Sequence, residues 1–299
     1  MDRTNKSYPL AEKMLREYQA VIEPALVKYL DAAGREDAVA RAMGYSLTAG
    51  GKRIRPALTL AFCRACGGDW EKALPLACAL EMLHTYSLIH DDLPCMDNDD
   101  MRRGKPSCHK AFGEDTALLA GDGLLTAAFQ TILSADLPAE TIRQAGLALA
   151  RAAGPAGMIG GQVMDLANEG RAVDAARLRE TDMLKTGALI RAAAAMGCIA
   201  AGAPEELRKA ADRYAADIGL AFQIVDDILD TVGDPATLGK AVGSDAANDK
   251  STYVTLLGLE GAKAEAERLR ASAVDALSAF GPEADALREL AGLLAGRTY

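Results

Sequence analysis

The stretch LPLACALEMLHTYSLIHDDLPCMDNDD, from Leu74 to Asp100, changes character at Asp91. Its first part reads as a long apolar helix, rich in alanine and leucine and free of glycine and interior proline. Its second part carries Asp91, Asp92 and Asp97 in a D-D-x-x-x-x-D pattern, with Pro94 inside a turn and Asn98, Asp99 and Asp100 following. The arrangement recurs later in the chain. Ile224-Val225-Asp226-Asp227-Ile228 again sets paired aspartates near the end of a long apolar run, and Asp230 follows one turn on. Two buried helices ending in carboxylates are expected to face each other across a shared cavity.

Outward from these runs, helical periodicity continues. Leu10 to Leu30, Ala57 to Cys66, Ala117 to Leu133, Ala139 to Ala153, Asp174 to Ala201, Glu205 to Leu229 and Lys250 to Phe280 are alanine- and leucine-rich over several turns. Gly67-Gly68-Asp69, Leu137-Pro138, Gly154-Pro155, Gly202-Ala203-Pro204, Gly233-Asp234-Pro235 and Gly281-Pro282 punctuate them. The alternation of β-branched and aromatic residues expected of strands is missing. The expectation is an all-α fold of about ten or more helices around a central cavity. Ala117 to Leu133 and Ala192 to Ala201 are too apolar all round for a surface position, so others must surround them. No Ser-, Pro- or charge-rich linker divides residues 1–299, which read as one domain.

The chain has 299 residues, a net charge of −9, 50% hydrophobic and 25% charged residues. That composition suits an ordinary globular protein, and its acidity argues against a nucleic-acid partner, whose phosphates need a broad basic surface. Charges recur throughout Met1 to Tyr18, unlike a signal or transit peptide. No run approaches the ~18 uninterrupted apolar residues of a membrane span, so a cytoplasmic location is expected. The six cysteines read as buried free thiols rather than disulfides. Cys63-Arg64-Ala65-Cys66 has the spacing of half a metal site, but no second pair lies at a zinc-finger distance.

Carboxylates crowded onto apolar helices repel unless protonated, paired or bound to a cation. Asp226 and Asp230 share a helical face, about 6 Å apart, and neither cluster contains His or Cys among its ligands. Oxygen-only donors favour Mg²⁺, which keeps several waters and takes substrate phosphates as further ligands. A phosphate ester is the expected partner. The cationic counterpart is also present: Gly50-Gly51-Lys52-Arg53-Ile54-Arg55-Pro56 presents glycine N–H groups beside Lys52 and Arg55 on one helical face. Arg102-Arg103-Gly104-Lys105 follows the first aspartate cluster, and Lys185-Thr186-Gly187, Lys240 and Lys250 stand in apolar or glycine-rich settings. Two pools of positive charge beside two acidic clusters are enough for two diphosphates.

These segments, with Gly160-Gly161-Gln162 and Phe222-Gln223-x-x-Asp226-Asp227-x-x-Asp230, resemble in order the motif set of the trans-isoprenyl (polyprenyl) diphosphate synthases, from about Gly50 to Tyr253. Within that family the chain most resembles the bacterial farnesyl branch, and Pro94-Cys95 inside the first motif resembles the insertion of the bacterial and plant type. The resemblance implies the isoprenoid synthase fold, a homodimer, and condensation of isopentenyl diphosphate with dimethylallyl and geranyl diphosphates to (2E,6E)-farnesyl diphosphate. It implies metal ligation by Asp91, Asp97 and Asp226, supported by Asp92, Asp227 and Asp230, with more than one Mg²⁺ and three when substrate is bound. Gly51, Lys52, Arg55, His84 and Arg103 match the isopentenyl diphosphate site. Arg102, Lys185, Thr186, Gln223, Lys240 and Lys250 match the allylic diphosphate site. Lys185, Thr186, Gln223, Asp91 and Asp226 match the catalytic set, and the departing diphosphate is the implied proton acceptor. Tyr86 beside Ser87 resembles the pair that limits chain length. Asn248-Asp249-Lys250 departs from the family, which usually places glycine before that lysine. A geranylgeranyl synthase is the main alternative. A terpene cyclase would not need the second diphosphate site, and a silent partner subunit would be expected to lose an aspartate cluster.

Overall fold

A computed structural model describes residues 7–33, 37–232 and 251–296. The helices are α1 (Pro9–Ala33), α2 (Ala38–Leu47), α3 (Ile54–Ala65), α4 (Leu74–Asp91), α5 (Cys108–Phe112), α6 (Glu114–Leu133), α7 (Ala139–Ala153), α8 (Met158–Asn168), α9 (Ala175–Asp182), α10 (Ala188–Ala200), α11 (Glu205–Val232), α12 (Tyr253–Ala276) and α13 (Asp285–Ala295). A π-helical turn, Met183–Gly187, interrupts the run expected from Asp174 to Ala201. The final expected run begins at Tyr253, after its capping box at Thr252, and kinks at Gly258.

Among the described residues the bundle is all-α apart from a ladder of two residues on each side, Met101–Arg102 against Lys105–Pro106, where no strand is expected from sequence. Arg103 (φ 53°) and Gly104 (φ 75°) both occupy the left-handed region, as a tight two-residue hairpin turn requires. This turn is local chemistry and carries no alternating pattern.

The apolar character of α4 places it at the centre. It packs against α3 and α6, and α10 in turn packs on α3, α7 and α11. The core runs through Phe62, Leu76, Leu80, Leu83, Leu124 and Tyr214, all fully buried. The segments Glu114–Leu133 and Ala175–Ala200 are long and apolar enough to cross a membrane by length and composition, yet 44% and 50% of their apolar windows are buried within the bundle. That apolar content serves helix packing. At the chain's ends, Glu289 of α13 accepts hydrogen bonds from the Leu10 and Ala11 N–H groups at 2.7 and 3.2 Å, which ties α1 to α13. All six cysteines are free.

The Tyr214 hydroxyl donates to the Leu287 carbonyl at 2.7 Å, joining α11 to α13 inside the core. The Leu287 carbonyl sits inside α13 and keeps its helical partner, so Tyr214→Phe removes one buried hydrogen bond and is expected to destabilise the fold by about 0.5–1.5 kcal/mol in chemical denaturation.

Candidate active site

Helix α4 ends at the first acidic cluster. The Asp97 N–H donates to the Asp91 carbonyl at 2.8 Å, and the Met96 and Asn98 N–H groups both donate to the Leu93 carbonyl. The helix end is thereby folded into a compact acidic turn. Burial pushes the Asp91 carboxyl up to about 6, against the opposing pull of Lys185 and with help from Asp97. Asp92 is buried and receives the Arg102 guanidinium, whose Nε lies 2.9 Å from Oδ1. Arg102 also reaches Asp99 at 3.3 Å. Asp92, expected at the metals, and Arg102, expected at the allylic diphosphate, thus hold each other.

The loop before α3 forms the cationic pole. Arg53 caps α3 in a left-handed conformation (φ 49°) and turns inward, its side chain bonding Glu23 at 2.8 Å, Glu81 at 2.7 Å and the Leu47 carbonyl at 2.6 Å. This buried network fixes the loop and frees Arg55, two residues on, to face the cavity. Arg55 Nη1 lies 3.2 Å from His84 Nε2, and its Nε is buried without a hydrogen-bond partner. Burial and the Arg103 charge pull Arg55 below the usual guanidinium range. Burial together with Arg55 and Arg103 holds His84 well below the normal imidazole range, so the ring is neutral at pH 7. The hairpin aims Arg103 at the same loop, where Nη1 donates to the Gly50 carbonyl. Its guanidinium lies against Gly51, at which a Cβ would sit 2.8 Å from Cζ. Lys52 is exposed on this loop.

The π turn packs against α11 and carries Lys185 towards the first acidic cluster. Lys185 donates to Asp165 of α8 at 2.5 Å and lies in the field of Asp91 and Asp97. That approach depends on Gly161, where a Cβ would meet the Lys185 backbone nitrogen at 2.1 Å. Burial and Asp165 push Asp182 up to about 7. On the far side, the Tyr253 N–H donates to Asp227 at 2.8 Å, anchoring α12 to the second cluster. Asp226 and Asp227 are half-buried and Asp230 is buried. Gln223, on the same helix, is half-buried but does not line the cavity described next. Lys240 and Lys250 lie outside the described residues.

A cavity of about 610 Å³ opens between α4, α6, α8 and the π turn. Arg55, His84, Asp91, Lys185 and Thr186 line its polar parts, and Tyr86, Ser87, Leu125, Met158 and Leu189 are among its remaining walls. Gln162 also lines it, with its amide nitrogen buried and unpartnered. Among the described residues, no three His, Cys, Asp or Glu side chains form a metal cage of their own. An all-oxygen donor set with a carboxyl lifted by burial suits Mg²⁺ shared with a substrate phosphate, because that ion takes few protein ligands. Reading the sequence alone assigns no role to Glu23, Arg53, Glu81 or Asp165, all of which support the site. Asp165 stands three residues after Gln162, one helical turn on, and that spacing was the available signal.

The polyprenyl synthetase family model matches residues 36–279, and the chain belongs to this family. A farnesyl diphosphate synthase from Geobacillus stearothermophilus is 49% identical over 255 residues, covering 84% of this chain and 86% of that protein. A chloroplastic geranylgeranyl pyrophosphate synthase 3 from Arabidopsis thaliana is also 49% identical, over 87% of this chain and 74% of its own length. The crystal structure of an FPP/GFPP synthase from Zymomonas mobilis superposes with a TM-score of 0.86 at 38% identity, covering 97% of this chain and all of that one.

A carboxyl raised by burial favours folding while protonated: Asp91 contributes fully below pH ~4, and the contribution is lost as pH rises through about 6. In a chelator, the stability of the wild type relative to Asp91→Asn should therefore fall between pH 4 and 6 and level off above 7. Denaturation midpoints across that range check this.

Proposed function

We propose that the enzyme is a magnesium-dependent trans-prenyltransferase that condenses isopentenyl diphosphate with dimethylallyl and then geranyl diphosphate, giving (2E,6E)-farnesyl diphosphate. One observation carries the reading: a guanidinium–imidazole pole and an acidic pole border the same largely apolar cavity. A cavity of this kind suits two diphosphates with their hydrocarbon parts between them. The whole chain 1–299 is assigned to one polyprenyl synthetase domain, in keeping with the tie between α1 and α13.

Arg55, Arg103 and Lys52 hold the diphosphate of isopentenyl diphosphate, with the Gly51 N–H beside them and His84 oriented by Arg55. A neutral imidazole adds a hydrogen bond there without adding charge. Fixing the alkene against the allylic carbon supplies positioning, worth ~7 kcal/mol or more. On the acidic side, Asp91, which lines the cavity, together with Asp97 and Asp226 would hold the magnesium ions, more than one and three with substrate bound, supported by Asp227, Asp230 and Asp92. These ions supply the Lewis acidity that makes the allylic diphosphate a leaving group. Lys185, set by Asp165, stabilises the charge growing on that diphosphate, and Arg102, Lys240 and Lys250 complete its binding. Thr186, in the cavity wall, borders the cation, and Gln223, outside that wall on α11, belongs with the allylic diphosphate site. With no protein base assigned, the departed diphosphate takes the proton. A cytoplasmic homodimer is part of this reading, and the exposed Leu118, Leu119 and Leu147 on α6 and α7 favour a second copy as cover.

An assay with isopentenyl and dimethylallyl diphosphates plus Mg²⁺ should yield a C15 product, and an inactive enzyme would overturn the proposal. The two poles separate kinetically. Lys52→Ala and Arg55→Ala should mainly raise KM for isopentenyl diphosphate, whereas Lys185→Ala should lower kcat by about 10²-fold or more.

Equal identity to relatives named for C15 and C20 products leaves length to the cavity itself. Tyr86 lies five residues before Asp91 on α4, ~7–8 Å down the axis at 1.5 Å per residue. Its buried ring meets His90 edge-on at 5.6 Å, beside Ser87 in the cavity wall. A ring so braced acts as a floor below the growing chain. Tyr86→Ala should shift the main product to C20 or longer with the first condensation nearly intact, as chromatography of the dephosphorylated products would show. A wild type that already makes C20 would remove Tyr86 from this role.

A further inference from the structure

The Cys63-x-x-Cys66 motif takes no part in the cavity, and it meets a third thiol. Cys66, the C-cap of α3, lies with its Sγ 3.7 Å from Sγ of Cys198 in the last turn of α10, and Cys63 is buried beside them. The two helix ends are clamped. The Gly68 N–H donates to the Cys63 carbonyl at 2.9 Å, and Gly68 packs so tightly that a Cβ there would lie 2.6 Å from Cβ of Ala201. The Ala203 N–H closes α10 onto the Cys198 carbonyl at 2.9 Å, and the carbonyl of Ala203 accepts from Arg208 Nε at 2.8 Å.

We infer that Cys66 and Cys198 form a dithiol that hydroperoxides oxidise to a reversible disulfide, with Cys66 as the attacking thiol and Cys198 as the resolving one. Access assigns the order, since Cys66 is partly exposed and Cys198 is fully buried. Electrostatics agree: the hydrogen bond from Cys198 and the nearby Arg208 charge pull the Cys66 thiol down, while burial pushes Cys63 up to about 12. The Cys66 thiolate attacks one peroxide oxygen, the O–O bond breaks, and the products are a sulfenic acid and the alcohol or water left from the peroxide. The sulfur is oxidised by two electrons and the peroxide is reduced. The Cys198 sulfur then attacks the sulfenic sulfur, the S–O bond breaks, and the departing hydroxide leaves as water with the Cys198 proton. The sulfurs must close from 3.7 Å to about 2.05 Å, a side-chain rotation at a helix cap followed by two glycines. A dithiol reductant reverses the step.

The test treats the full chain with a few equivalents of hydrogen peroxide, alkylates the remaining thiols and maps peptides without reduction. The expected product is one crosslink joining the Cys66 and Cys198 peptides, lighter than their sum by two hydrogen atoms and lost on adding dithiothreitol. In Cys198→Ala, Cys66 should stop at sulfenic acid and be trapped by a 1,3-dione. Recovery of both cysteines as alkylated free thiols when the exposed Cys95 is already oxidised would overturn the inference. So would pairing of Cys66 with Cys63.

Discussion

The structure is organised around one costly placement, the burial of carboxylates at the end of an apolar helix. Asp91 and Asp92 are adjacent, both are desolvated, and Asp97 is folded back beside them. Like charges in a low dielectric are unfavourable unless something answers them. The chain answers Asp92 with Arg102, delivered by a hairpin, and brings Lys185 towards Asp91 on a π turn. Asp91 keeps the larger residual penalty, its carboxyl raised by burial to about 6. π turns of this kind occur mostly where an α-helix must place a side chain out of its regular register.

The opposite pole repeats the same logic with the sign reversed. Arg53 is fully compensated by Glu23 and Glu81, and it belongs to the scaffold. Arg55 and Arg103 are not compensated in this way, and each lies below the usual guanidinium range. Breaking a compensated buried pair costs stability, whereas an uncompensated cation is stabilised by a bound anion. Neighbours two residues apart in sequence thus differ in kind: Arg53 is paired inside the scaffold, and Arg55 faces the cavity with its Nε unpartnered.

Much of this was legible in the sequence. The apolar runs ending in aspartates located α4 and α11, and glycine or proline breaks marked the junctions α3/α4, α6/α7, α7/α8, α10/α11 and α12/α13. Helices α2, α5, α8 and α13 fell outside the expected runs, because they are too short for a periodic pattern to extend over several turns. The hairpin was invisible because two left-handed turn residues create it, without strand alternation. Arg53 stood inside a quoted motif, but its partners Glu23 and Glu81 are 30 and 28 residues away. Asp165 likewise meets Lys185 across 20 residues, and its spacing from Gln162 hints at a place near the site but not at this pair. Ion pairs between separate helices depend on tertiary packing, and no local spacing encodes them. Chain length is a third case: Tyr86 could be placed on its helix from sequence, but its bracing by His90 required the ring geometry.

The central claim is that the acidic pole binds diphosphate through a shared divalent cation, while the basic pole binds it directly. The most direct measurement is the thermal midpoint of the protein with inorganic diphosphate, with Mg²⁺, and with both. The account predicts that the two together raise the midpoint by more than the sum of their separate effects, and that Asp91→Asn and Asp226→Asn each abolish the excess. A diphosphate shift of equal size in a chelator, unchanged by both substitutions, would contradict it.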